Sequence, residues 1–130
     1  MADARFRDSI AWQKAMVLIA EVYTATGRFP KEEIFGLTNQ LRRASVSIAS
    51  NIAEGQGRLT TGEFVHFLGV ARGSALEVQT QLEAACMLKF GAEAELLKAL
   101  STAEEVVRIL NASIATNKAR IAAAKNKQKP

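Results

Sequence analysis

Few residues in this chain could staple it, bend it sharply or bury it in a membrane. Cysteine occurs once, at Cys86, so no internal disulfide can form, and a reducing cytoplasmic setting is expected. The only prolines, Pro30 and Pro130, stand outside the periodic apolar segments and leave those segments free to run as helices. Aromatics make up 6% of the chain, so the core is expected to be aliphatic and packed with small residues. The longest unbroken apolar run, Ala15 to Ala20, falls far short of a bilayer span. The opening MADARFRDS has no apolar block behind it, and no secretory leader is expected. Acid is also missing from one region. Residues 106–130 hold Arg108, Lys118, Arg120, Lys125, Lys127 and Lys129 with no Asp or Glu. They carry +6, which leaves −2 for the rest of a chain whose net charge is +4. The basic character is C-terminal and not a property of the whole surface.

What is present is helical periodicity. The 130 residues are enough for one domain, and we expect it to span 1–130, with 118–130 a basic C-terminal helix end or tail. A first helix should begin at Asp8 or Ser9, show Trp12, Met16, Ile19 and Tyr23 on one face with Ala15 and Val22 beside them, and end at Thr26-Gly27. Pro30 suits the first turn of the next helical segment. Glu32 and Glu33 favour the same helix start, and Gly36 divides that turn from the central helix.

The stretch Leu37 to Arg58 is the centre of the pattern. Leu37, Leu41, Ala44, Ile48 and Ile52 form an apolar stripe. Beside it run a polar line, Gln40, Arg43, Ser47, Asn51 and Glu54, and a small line, Ser45, Ala49 and Ala53. Three distinct faces predict neighbours on more than one side. Gly55 is expected to stop this helix in the left-handed conformation.

Thr60 to Glu63 has capping-box spacing and should start a third helix. Its apolar face is Phe64, Phe67, Leu68, Ala71, Ala75, Val78, Leu82, Ala85 and, near the end, Met87 or Leu88, and Phe90-Gly91 should close it. A fourth helix carries Leu96, Leu100, Ala103, Val107, Leu110 and Ile114. Its period runs through a second cap-like spacing at Ser101 to Glu104, so one continuous helix is expected, with its last residues fraying. Four amphipathic helices with short links predict an all-α, antiparallel up-down four-helix bundle.

Motifs for chemistry are sparse. Glu63-Phe64-Val65-His66 has the E-x-x-H spacing of di-iron bundles, but such a site needs two of these motifs and the chain has one histidine. The loop Gly55 to Gly62 follows a helix and lacks the Gly-Lys-Ser/Thr of a phosphate loop. Cys86 lies in an apolar helical context, as small hydrophobes do. No enzyme, cofactor or metal is expected. Gly69 and Gly73 form a G-x-x-x-G step, which predicts a close contact with the small stripe near Ser45 and Val46, the alternative being a contact between copies. Arg42, Arg58, Arg72, Lys118, Arg120, Lys125, Lys127 and Lys129 are the candidate nucleic-acid contacts. Gln40, Arg43, Ser47, Asn51, Glu54, Glu77 and Gln81 are read as a structural polar seam, the alternative being that Arg42 and Arg43, with Ser47 and Asn51, form a phosphate-contacting face. Arg43 is expected to be buried and paired with Glu77, or else with Glu54 or a carboxylate of a neighbouring copy.

Three segments, FRDSIAWQKA, FPKEEIFGLTNQLRRASVSIASNIAEGQGR and EFVHFLGVARGSALEVQTQL, closely resemble the 23S rRNA intervening-sequence proteins, a group that includes accessory proteins of diversity-generating retroelements. The resemblance covers Phe6 to about Gly91; the fourth helix matches by pattern only. It implies a bundle that assembles as a pentameric ring or barrel, and no catalysis. Some members are encoded within inserts in ribosomal RNA genes, and retroelement relatives bind nucleic acid and a reverse transcriptase. The signature positions it carries over are Trp12, Pro30, Glu33, Gln40, Arg42, Arg43, Ser47, Asn51, Glu54, Gly55, Gly73, Ser74, Glu77 and Gln81. Ser9 and Ala49 depart from it, where members usually have leucine and proline. The resulting expectation is a cytoplasmic, non-enzymatic, homo-oligomeric accessory or adaptor associated with RNA or DNA. The alternative is a protein-binding scaffold with no nucleic-acid role, and no membrane association is expected in either case.

Overall fold

The computed structural model describes the chain from Ala2 to Gln128, so Met1, Lys129 and Pro130 lie outside the described residues. Four α-helices follow a short 3₁₀ segment at Ala2–Asp8. They are α1 (Ile10–Thr26), α2 (Leu37–Gln56), α3 (Thr61–Leu88) and α4 (Glu93–Lys127), with a 3₁₀ turn at Lys31–Phe35 before α2. No strand occurs among the described residues, and no helix is long and apolar enough to cross a membrane. Each of α1 and α3 packs against both α2 and α4, while the diagonal pairs stay apart. The result is a four-helix bundle with one central core.

The helix ends follow local chemistry. Ser9 caps α1 by accepting a hydrogen bond from the Trp12 N–H at 3.2 Å. Glu33 Oε1 reaches forward from the 3₁₀ turn to accept from the Leu37 N–H at 3.0 Å, starting α2. Thr60 accepts from the Glu63 N–H at 3.1 Å, and its hydroxyl donates to Glu63 Oε2 at 3.0 Å, which is the expected capping pair. At the other end of α3 the left-handed residue is Lys89, with φ 59°. Phe90 N–H then bonds back to Ala85 O at 2.9 Å, a Schellman closure built without glycine. Gly91 also has positive φ, 70°, and a Cβ there would press on the Phe29 ring at 3.1 Å. Phe29 and Phe90, with ring centroids 5.8 Å apart, thus join the loops after α1 and α3.

The core is small-residue packed, as composition predicts. In α2 the expected stripe holds: Leu41, Ala44, Ile48 and Ile52 are buried, and Leu37 is half-buried. In α1 the buried face is Ala11, Ala15, Leu18, Val22 and Ala25, one step round from the expected one. Trp12 and Ile19 lie at the margin, while Met16 and Tyr23 are exposed. Alanines let α1 approach its neighbours closely, and the larger side chains of the next face cover the edges. The core of α4 is likewise Leu96, Ala99, Ala103, Val106 and Leu110, with Leu100, Val107 and Ile114 packed against it. The helix runs unbroken through Ser101 to Glu104 and stays helical past Lys118 to Lys127.

Two expectations about glycine are overturned. Gly55 does not end α2; the helix continues to Gln56, and Gly57 follows in right-handed geometry. Gly55 is buried instead, and a Cβ there would lie 2.9 Å from Phe67 Cβ and 3.0 Å from Phe64 Cδ1. Its role is close approach of α2 to α3. Gly69 and Gly73, expected to supply that approach, are exposed, with nothing within 4 Å of a Cβ at either.

Candidate functional site

The polar line of α2 faces α3 across an open groove of about 400 Å³, lined by Asn39, Gln40, Arg43, Ala44, Ser47, Glu77 and Gln81. The α2 line reaches this groove because steps of three and four keep its residues on one side of the helix. Ser47 and Ser74 share a 2.9 Å hydrogen bond between hydroxyls. Asn51 donates from Nδ2 to Ser47 O at 2.8 Å and to Ser47 Oγ at 3.0 Å. Gln81 Nε2 reaches Gln40 Oε1 at 3.4 Å, and the buried Gln81 Oε1 has no partner. The seam therefore brings Gln40, Ser47, Asn51 and Gln81 together as expected, and adds Ser74.

Arg43 and Glu77 differ from the expectation. Both are exposed, and among the described residues neither forms an ion pair, although they line the same groove. The reason is their place on the helix wheel: each sits on the outer shoulder of its helix, beyond the hydroxyl contacts that close the α2–α3 seam. Glu54 is no partner for Arg43 either, since Arg58 holds it at 2.8 Å.

The candidate cations are distributed over several surfaces. Arg42 lies on the α1 side of α2, donating from Nε to Thr26 Oγ1 at 2.9 Å, with its guanidinium 4.6 Å from the Tyr23 ring centroid. Arg58 combines the Glu54 pair with a stack over Phe67, also at 4.6 Å. Both side chains are committed within the chain. Arg72 and Lys118 do come together, lining a groove between α3 and α4 with Val65, Gly69, Asn111 and Ile114. Arg72 Nε donates to Asn111 Oδ1 at 2.6 Å, which leaves its terminal nitrogens available. Beyond this groove Lys118, Arg120, Lys125 and Lys127 are all exposed, with Arg120 close to the Asn117 amide at 3.5 Å. Lys129 lies outside the described residues. Sequence reasoning missed Asn111 and the Tyr23 platform. An asparagine in mid-helix gives no local signal, and Tyr23 belongs to the face of α1 that periodicity alone turns inward.

The residues considered for other chemistry have ordinary duties. Glu63 is held by Thr60, and His66 is exposed, its ring edge-on to Phe67 at 5.3 Å. Burial, together with the nearby Glu93 and Glu83 carboxylates, pushes the Cys86 thiol above its ordinary pKa. Among the described residues no group of three or more His, Cys, Asp or Glu side chains is arranged to hold a metal.

The family model of the 23S rRNA-intervening sequence protein matches residues 7–112, which contain the whole α2–α3 seam and α4 as far as residue 112, short of Lys118 and the cations that follow it. The chain belongs to that family. Its backbone is similar to the crystal structure of a protein of unknown function from the S23 ribosomal protein family of Bacteroides thetaiotaomicron VPI-5482. The TM-score is 0.74 at 19% sequence identity, over 88% of this chain and 99% of the other, a likeness of fold. No curated protein matches the chain.

Proposed function

We propose that this member of the 23S rRNA-intervening sequence family is a non-enzymatic accessory or adaptor that associates with RNA or DNA and works as a homo-oligomer. The observation that carries the reading is the acid-free half of α4. It runs as helix to Lys127, presents Lys118, Arg120, Lys125 and Lys127 to solvent, and adjoins Arg72 in one groove. Exposed cations with no acid after Glu105, spread around this end of the helix, are electrostatically suited to a phosphate backbone. The bundle is taken as antiparallel and up-down, which the pairs Gln40–Gln81, Ser47–Ser74 and Gly55–Phe67 support. A pentameric ring and kinship with retroelement accessory proteins extend the same reading from the sequence resemblance. A cytoplasmic setting suits the single free thiol.

The runner-up, a protein-binding scaffold with no nucleic-acid role, is favoured by exposed apolar side chains at helix ends: Leu59 at 98%, Phe35 at 88% and Met87 at 76%. A titration of the full chain against RNA and DNA at two salt concentrations separates the two. Phosphate contacts predict a steep loss of affinity with salt. No binding at low salt rejects the nucleic-acid reading.

A further inference from the structure

The groove between α3 and α4 has a feature that a plain phosphate surface does not need: an apolar floor between its cations. Val65, Gly69 and Arg72 of α3 face Asn111, Ile114 and Lys118 of α4 across it, and no acid lines it. Steps of three and four keep each trio on one side of its helix. Asn111 accepts from Arg72 at 2.6 Å, and Lys118 follows Asn111 by two turns of α4, about 10 Å of rise. The two cations thus stand at opposite ends of the groove. Between them lie the half-buried Val65 and Ile114, and Gly69, which presents no side chain. Glycine weakens a helix, and nothing lies within 4 Å of a Cβ at Gly69, so no contact inside the chain offsets that cost. The room it leaves belongs to a groove of about 370 Å³, the scale of a small-ligand site.

A duplex keeps its bases paired inside and offers this groove phosphates alone, which leaves the apolar floor empty. A single strand offers phosphates together with unstacked bases. We infer that the groove takes an unpaired strand of nucleic acid, with neighbouring phosphates at Arg72 and Lys118 and one base over Gly69, between Val65 and Ile114. The inference rests on the nucleic-acid part of the proposed function and names the form of strand that is bound. Asn111 holds Arg72 by Nε, which aims the guanidinium and leaves its terminal nitrogens for a phosphate. Aliphatic walls meet the face of a base and not its edge, so the contact tolerates any sequence.

The test is fluorescence anisotropy at low salt on the full chain, on Gly69→Leu, on Arg72→Gln and on Lys118→Gln. The probes are labelled oligodeoxythymidylate and oligouridylate, each alone and annealed to its complement. Charge by itself favours the duplexes, whose phosphates lie closer together along the axis. The unaltered chain should nevertheless bind at least one single strand about fivefold or more tighter than its duplex. The tighter of the two strands names the source as DNA or RNA. Gly69→Leu keeps every charge and enters open space, so circular dichroism should show the same helix content while that preference is lost. Arg72→Gln and Lys118→Gln should each weaken single-strand binding by about threefold or more, through a lost phosphate contact. Duplexes bound as tightly as single strands by the unaltered chain would overturn the inference, while nucleic-acid association stands. So would a preference that survives Gly69→Leu with its helix content intact. Single-strand affinity unchanged in both Arg72→Gln and Lys118→Gln would overturn it independently of Gly69. Binding of no probe at low salt would reject both the inference and the nucleic-acid reading.

Discussion

Toward α2, helix α3 presents Ser74, Glu77 and Gln81 to Gln40, Arg43 and Ser47; toward α4 it presents Val65, Gly69 and Arg72 to Asn111, Ile114 and Lys118. Both contacts border an open groove, and each holds an arginine. On the α2 side the groove carries an opposing glutamate, and the seam beneath it is closed by neutral hydrogen bonds. On the α4 side Arg72 is held by the neutral Asn111, and the cations continue along an acid-free helix. The helix is the same in both cases, so the difference comes from what each neighbour brings. A balanced face has no net charge to offer a ligand. A one-signed face needs an anion from elsewhere.

The largest expected effect breaks the comparison on the α4 side. Changing Lys118, Arg120, Lys125 and Lys127 together to glutamine should weaken RNA or DNA binding about a hundredfold near 50 mM salt. It should also lower the log–log salt slope by about 3 to 4, as fewer counterions are released. Arg43→Gln should leave that slope unchanged. Filter binding across a salt series measures both, and a slope that follows Arg43 would exchange the roles of the two sides.

Stability separates the glycines next. Gly55→Ala drives a methyl into Phe67 and should destabilise the fold by about 1–3 kcal/mol. Gly73→Ala meets open space and should stabilise the isolated chain by up to about 1 kcal/mol through helix propensity. Urea denaturation at dilute, dissociating concentration is the measurement. Equal losses at both positions would mean that Gly73 also has a neighbour within the chain.

The arginines of α2 should matter less to folding. Arg43 is exposed and unpaired, and the Arg58–Glu54 pair is an exposed i,i+4 contact, so either alanine variant should change monomer stability by less than about 1 kcal/mol. A loss well above that for Arg43→Ala alone would return it to the buried seam.

The smallest effect concerns Cys86, which meets Phe90 and Leu96 near the start of α4. Its thiol ionises later than an ordinary cysteine, first through burial and then through Glu93 and Glu83. Alkylation should be slower than for free cysteine near pH 8 and should accelerate as pH rises or as urea opens the fold. By linkage, the retained proton stabilises the fold below the unfolded thiol's pKa, and that contribution is lost as pH rises through the folded one. Glu93→Gln should raise the alkylation rate slightly, and a thiol already fully reactive at pH 7 would contradict the shift.

Much of the architecture was legible without coordinates. Four helices, the Ser9 and Thr60 caps, the α2 stripe and an unbroken α4 all follow from short-range rules: a hydroxyl three residues before an N–H, and apolar steps of three and four. Gln40, Ser47 and Asn51 of the seam were legible for the same reason, since their line is a local property of one helix; Ser74, on the facing helix, was not. The candidate cations were legible only as a composition. Which of them remain free depended on Thr26, Glu54 and Asn111, residues 4 to 39 positions away.

By itself, then, the sequence determined where helices begin, where most of them end, and which residue types share a face, because those depend on the angle and rise between near neighbours. Only the tertiary structure decided how far each helix is rolled about its axis and how closely it meets the next. Rolling α1 by one step exchanged Met16 and Tyr23 for Ala11, Leu18 and Ala25 in the core, beside Ala15 and Val22. The same kind of choice gave Gly55 a phenylalanine and left Gly73 in open space. It also put Arg43 on the outer shoulder of α2 and not inside the seam. Roll and separation are set by every side chain in the interface at once, and no local pattern encodes them.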